Sequence, residues 1–307
     1  MISCTEFIPA YSELFTYLEG KYGFEEVEKY WNDIFNPERN GFLNQKVSKG
    51  GIRGCYEYWS HTLNEEAADF TLYLNEKDGW FMIKMHHCPS KGRLLEFEHI
   101  TPYHKYCLHC DLYRKTIEKY GFAYEYDFTE TDKAICSLCV YDPKIYKGKK
   151  IVTDDTIVMD RQAGDNRYFH KDFHNSMNMG VDYIGKNFGK EELESYLQSF
   201  SRKFYAPLMD NIRIHGLSVL KDKIEETYAA EEAGDSLHFK AAENRLEVTA
   251  KYCPAVIYLR EAGYEVSPWY VYTIQTVMQT LAEDTGYKFK MNSYDEKTGA
   301  AAYDIWK

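Results

Sequence analysis

Apolar residues along this chain follow two periodicities, and these alternate in the same order twice. Over residues 23–35, Val27, Tyr30, Trp31 and Ile34 recur at helical spacing, and over 190–204 Leu193, Tyr196, Leu197 and Phe200 repeat the pattern. Second helical stretches are predicted over 54–66 and 217–232. Alternating runs come next: 70–74 and 80–87 flank a turn ending in Gly79, and 236–240 and 245–252 flank the turn 241–244. A helix is then predicted over 103–120 and its counterpart over 268–284, with Gly121 and Gly286 as stop signals. Strands over 122–128 and 134–141, and over 287–293 and 300–306, close the two halves. Helices followed by four mostly antiparallel strands, with one helix covering the sheet, predict an α+β layer in each half.

The halves also align residue by residue. Laying Cys88-Pro89 on Cys253-Pro254 sets an offset of 165, and it places Gly121, Phe122, Tyr124, Val140 and Tyr141 on Gly286, Tyr287, Phe289, Ile305 and Trp306. Upstream the register slips by one, so that Tyr22-Gly23 and Tyr30 fall on Phe188-Gly189 and Tyr196. Matches at both ends of a unit point to an internal repeat. The expectation is a pseudo-dimer of tandem α+β repeats: a cysteine-rich copy over 1–141, a connection over 142–165 and a cysteine-poor copy over 166–307. Under this alignment Cys107, Cys110, Cys136 and Cys139 become Tyr272, Gln275, Ala301 and Asp304, so the thiol chemistry belongs to one copy.

Composition narrows the function. A chain of 307 residues accommodates two ordinary domains, and its formal charge of −11 argues against a nucleic-acid surface. The basic run 147–150 is too short to reverse that. No apolar stretch approaches the roughly 20 residues of a membrane span, and the start of the chain lacks the pattern of a signal peptide. These features predict a cytoplasmic protein with no nucleic-acid or membrane partner and an open oligomeric state. Its thiols would be reduced or metal-bound.

Cys107-x2-Cys110 and Cys136-x2-Cys139 resemble the two halves of a zinc site. Strand alternation weakens that pairing, because Cys136 and Cys139, three apart, face opposite sides. On an α-helix over 103–120, Cys110 joins the apolar stripe of Tyr106, Tyr113 and Ile117, whereas Cys107 lies beside it with Asp111, Arg114 and Glu118. Cys110 and Cys136 therefore group first, with Cys88 able to join them. Cys107, His109, Asp111 and His87 are candidates for a further ligand or base. The metal-ligand set is Cys88, Cys107, Cys110 and Cys136, with Zn²⁺ as the cofactor, and a nucleophilic cysteine or a thiol-rich core remain alternatives. Cys4 and Cys55, with no partners in sequence, read as structural.

The segment 244–256 with Cys253-Pro254, followed by Tyr258-Leu259-Arg260 and Gly263, resembles the core motif of the L-2-amino-thiazoline-4-carboxylic acid hydrolase family. So do His87-Cys88-Pro89, Cys107-Leu108-His109-Cys110-Asp111 and Asp132-Lys133-Ala134-Ile135-Cys136. The layout is also similar to the wider 4-vinyl-reductase-like sensor domains, in which cysteines at such positions hold zinc beside a small-molecule site. The resemblance implies hydrolytic opening of a small, sulfur-containing cyclic amidine, with Cys88, Cys110, Asp111 and His109 as catalytic residues. Arg114 would hold a substrate carboxylate in a bidentate pair, or else pair with Glu118 on the helix surface. The alternative is a small-molecule-binding or zinc-stabilised sensor module without turnover. A thiol redox protein is a weaker reading, because Cys107-x2-Cys110 lacks a preceding strand.

A second candidate site lies in the other half. His170 and His174 are four apart but lack the glutamate of HExxH. Met177, Val181 and Ile184 continue the stripe from His174, which makes it core-facing. His174, Cys253 and Trp269 are the expected substrate-binding residues there, with Tyr258 and Tyr270 as aromatic walls.

Overall fold

The structure, a computed structural model, describes residues 1–36, 41–148, 152–165 and 167–307. Residues 149 and 150 of the basic run, 149–151 of the expected connection, and residue 166 at the start of the expected second copy lie outside the described residues. In chain order the helices and strands are α1 (Phe7–Tyr22), α2 (Phe24–Ile34), α3 (Phe42–Glu65), β1 (Asp69–Asn75), β2 (Trp80–His87), α4 (Lys91–Leu95) and α5 (Tyr113–Lys119). There follow β3 (Ala123–Asp127), β4 (Cys136–Tyr141), β5 (Ile157–Arg161), α6 (Phe173–Phe188), α7 (Lys190–Phe204), α8 (Ala206–His215) and α9 (Leu217–Ala230). The chain closes with β6 (Leu237–Ala242), β7 (Arg245–Ala250), α10 (Pro254–Glu261), α11 (Tyr272–Glu283), β8 (Lys288–Tyr294) and β9 (Ala301–Trp306). The α+β class is as the periodicities predict.

The chain divides into two compact units, one of residues 22–170 and one of residues 1–21 with 171–307. The expected boundary fails at the start, because α1 packs with the later residues. Tyr196 on α7 donates to the Ala10 carbonyl at 2.8 Å, Lys203 reaches Glu13 at 2.7 Å, and the Phe7 and Phe173 rings stack at 4.6 Å. Local periodicity carries no information about which sheet a helix will join.

In the 22–170 unit the sheet runs β3-β4-β2-β1-β5, all antiparallel. The segment expected as pure connection thus supplies an edge strand: β5 pairs with β1, Phe70 lying opposite Arg161. Phe70 and Leu72 on β1, Phe81 and Ile83 on β2 and Val140 on β4 point to one face, where they bury against Cys55, Trp59 and Leu63 of α3 and Ile117 of α5. At about 25 cal/mol per Å² of apolar surface, each such side chain contributes about 2 kcal/mol. In the other unit the sheet runs β6-β7-β9-β8, and α11 buries Ile274, Val277 and Leu281.

Left-handed backbone recurs at an interval of 165: Gly51 and Gly216, Ala67 and Glu232, Gly121 and Gly286, Ala134 and Gly299 all have positive φ. Gly51 breaks α3 internally, and Gly216 separates α8 from α9. Both positions need a backbone that side chains with a Cβ resist.

Candidate functional site

The four thiols expected to act together are assembled in the 22–170 unit. Cys88 follows β2, where its N–H donates to the Ala134 carbonyl at 2.8 Å and its sulfur accepts the Lys91 N–H at 3.4 Å. Cys136 opens β4 opposite Met85, and its side chain packs with Cys88 against the sheet core. Cys139 is opposite Met82 and buried, three residues on and therefore on the other face, as alternation requires. The predicted α-helix over 103–120 is replaced at its start by a 3₁₀ helix, Tyr106–Leu112, and only Tyr113–Lys119 is α. The Cys-Leu-His-Cys-Asp run has little helix propensity to hold an α turn. In a 3₁₀ helix residues three apart eclipse, so Cys107 falls in line with Cys110 instead of beside it. The Tyr124 hydroxyl fixes that turn by donating to the Cys110 carbonyl at 2.7 Å.

Electrostatics tie the group together. Burial pushes the Cys88 thiol up to about 11, helped by the nearby Cys107 and Glu66 charges and opposed by the Lys91 and Ser90 amides. Burial also raises Cys110 well above the ordinary thiol range, with further increments from Cys88, Cys107, Cys136 and Glu66. Cys136 is raised by burial and by Cys88 and Cys107, and Cys107 by burial. At neutral pH these are thiols, not thiolates. His109 is neutral as well, since burial lowers it to about 4. Its Nδ1 donates to the Tyr106 carbonyl, which leaves Nε2 as an acceptor 3.6 Å from the Cys110 sulfur.

The residue that sequence reasoning missed is Glu66. It follows α3 directly, and burial raises its carboxyl to about 7 while the neighbouring His170 lowers it and Glu65 raises it. Its charge acts on Cys88, Cys110 and Tyr113. A carboxyl that titrates near neutrality is suited to general acid–base work. The one sequence signal was its match, 165 residues on, to Glu231.

Other expected residues are engaged elsewhere. Asp111 binds Arg114 at 2.8 Å, and Arg114 also donates to the Tyr124 carbonyl at 2.6 Å and lies 3.7 Å from Glu118. This is the helix-surface reading of Arg114, joined to a backbone contact. His87 approaches Glu96 at 3.8 Å and packs against Gly92. Ligands sharing a tetrahedral zinc sit within about 4 Å of one another, yet among the described residues no three of Cys88, Cys107, Cys110 and Cys136 come within 4.8 Å of one another. The donors are chemically right but not closed into a metal centre.

In the other unit, His174 is buried and its Nε2 lies 3.0 Å from a Glu231 oxygen. Glu231 is the second residue missed. Its other oxygen accepts the Cys4 N–H at 2.6 Å, and Cys4, read as structural, joins this pair. Cys253 caps α10, is buried, and has its sulfur 3.3 Å from Met1 Sδ. Trp269 is not brought to His174: its indole covers Gly185, where a Cβ would come within 2.4 Å. Gly185 lies eleven residues farther along α6, about 16 Å at 1.5 Å per residue.

Compared with known proteins, the chain matches no family model, no curated protein and no solved structure. Among the described residues, no helix is long and apolar enough to cross a membrane.

Proposed function

We propose that the thiol cluster of the 22–170 unit is the active site of a small-molecule hydrolase that opens a cyclic amidine, in the manner of the L-2-amino-thiazoline-4-carboxylic acid hydrolase family. The observation that carries this reading is Glu66, a carboxyl held near pH 7 beside Cys88 and Cys110. A protonated amidine brings one positive charge among four neutral thiols and this carboxyl, and that charge favours the carboxylate. Glu66 then takes a proton from water as the water oxygen adds to the amidine carbon. The ring bond from that carbon to nitrogen or sulfur breaks, Glu66 returns its proton to the departing atom, and the hydroxyl proton, which balances the one the amidinium brought, passes to solvent water as the carbonyl forms.

The raised thiols argue against direct attack by Cys110, so the cysteines and His109 serve here as a soft, uncharged wall. No step needs Zn²⁺. Asp111 and Arg114 position the 3₁₀ turn and do not touch substrate. We also read the chain as two tandem copies of one α+β unit, a reading supported by the shared four-strand order and the positive-φ positions repeating at 165.

The test is to incubate purified protein with 2-aminothiazoline carboxylate and related cyclic amidines and to follow ring opening by mass spectrometry. Turnover that rises through pH 7 and is lost in Glu66→Gln supports the hydrolase. Tight binding with no turnover by the wild type across the class leaves the non-catalytic binding module as the better reading.

A further inference from the structure

We infer that Cys4, His174 and Glu231 form a binding site for one divalent transition metal of the Zn²⁺ class, independent of the thiol cluster. One sulfur, one imidazole nitrogen and one carboxylate oxygen from these residues all lie within 4.8 Å of one another. They come from three segments of one unit: the short 3₁₀ turn Cys4–Glu6, the first turn of α6 and the residue that follows α9. All three side chains are buried, at 0%, 1% and 4% exposure for Cys4, His174 and Glu231.

The spacing is close to that of a coordination sphere. Zinc bonds of about 2.0 to 2.3 Å at tetrahedral angles separate neighbouring ligand atoms by roughly 3.3 to 3.7 Å. The His174 Nε2 and Glu231 oxygen stand at 3.0 Å, so a few tenths of an ångström would admit the ion between them. The second Glu231 oxygen already accepts the Cys4 N–H, the kind of outer contact that orients a ligating carboxylate.

A mixed sulfur, nitrogen and oxygen set suits Zn²⁺ or Co²⁺ and disfavours Mg²⁺ and Ca²⁺, which take oxygen ligands. Three protein donors leave one tetrahedral position open. Cys4 would coordinate as its thiolate, so its thiol proton is released as the metal binds. Because the donors are buried, the ion would enter as the unit folds.

The experiment refolds the full chain with Co²⁺ or Zn²⁺, removes loose metal with a chelator, and measures what remains by elemental analysis and visible absorption. His174→Gln should retain one equivalent less than the wild type and weaken binding by roughly a hundredfold or more, since loss of an outer contact alone costs 10- to 100-fold. Cys4→Ser should lose the corresponding thiolate-to-cobalt band. Equal metal content in wild type and His174→Gln would overturn the proposal. Should the variants fail to fold, X-ray absorption of the zinc-loaded wild type decides: a shell with sulfur and nitrogen or oxygen supports the site. An all-sulfur shell, or no retained metal, refutes it.

Discussion

Replacing Glu66 by Gln should stabilise the protein while abolishing its turnover. The carboxyl rises from 4.5 to about 7 on folding, a difference of about 2.5. At 1.36 kcal/mol per pKa unit, an ionised Glu66 costs the folded state about 3 kcal/mol at full deprotonation. The sign follows from proton binding. Between pH 4.5 and pH 7 the folded state holds this proton and the unfolded chain releases it, so the contribution of Glu66 to stability falls as pH rises through that window. Below pH 4.5 it contributes no penalty, and above pH 7 the penalty is complete. Glutamine keeps the shape without the charge, so the variant should gain over wild type by about 1 kcal/mol at pH 5 and by about 3 kcal/mol at pH 8. Urea denaturation of both proteins at both pH values measures this directly, and comparison at equal pH cancels every other titrating group. A gain that does not grow between pH 5 and pH 8 would mean that Glu66 is solvated like an ordinary surface carboxylate. The acid–base role would then lose its physical basis, whatever the kinetics of the variant.

Two further outcomes follow from the same structure. Iodoacetamide should modify Cys88 slowly at pH 7 and about tenfold faster for each pH unit toward its value of about 11, followed by peptide mass spectrometry; a plateau by pH 8 would show that the surroundings stabilise the thiolate and would refute the reasoning. Gly299→Ala and Ala134→Gly should act in opposite directions in denaturant. The first places a Cβ 2.5 Å from that of Cys253 at a left-handed residue and should cost about 2 to 4 kcal/mol, whereas the second relieves a left-handed alanine by about 1 kcal/mol; matching signs would refute the strain argument.

What could be read from the sequence was whatever depends on a short, regular period. Alternation placed Cys136 and Cys139 on opposite faces of β4, and the turn ending in Gly79 predicted the β1–β2 pairing. The offset of 165 pointed to backbone positions that are left-handed in both halves. Two things escaped. The first was local: a change from 3.6 to three residues per turn over Tyr106–Leu112 leaves almost the same apolar pattern, yet it decides whether Cys107 lies with Cys110. The second was long-range. Nothing near Glu66 or Glu231 distinguishes them from surface glutamates, because their properties come from burial and from partners distant in the chain, Cys4 and His174 among them.

These two glutamates explain how matched positions come to differ in chemistry. Each directly precedes a left-handed residue, Ala67 or Glu232, at the end of a helix. Beside Glu66 stand thiols that burial keeps neutral, and burial lifts the carboxyl to about 7 because the opposing charge of His170 is too weak to offset it. Beside Glu231 stands His174, and the carboxyl is held below its ordinary range. A buried carboxylate is stable only when something positive meets it. At Glu231 the protein supplies that partner from its own chain, or shares the site with a metal. At Glu66 it supplies only His170, whose effect burial exceeds, and a proton or a bound cation would supply the rest. That is the property expected of a site built to receive a protonated amidine.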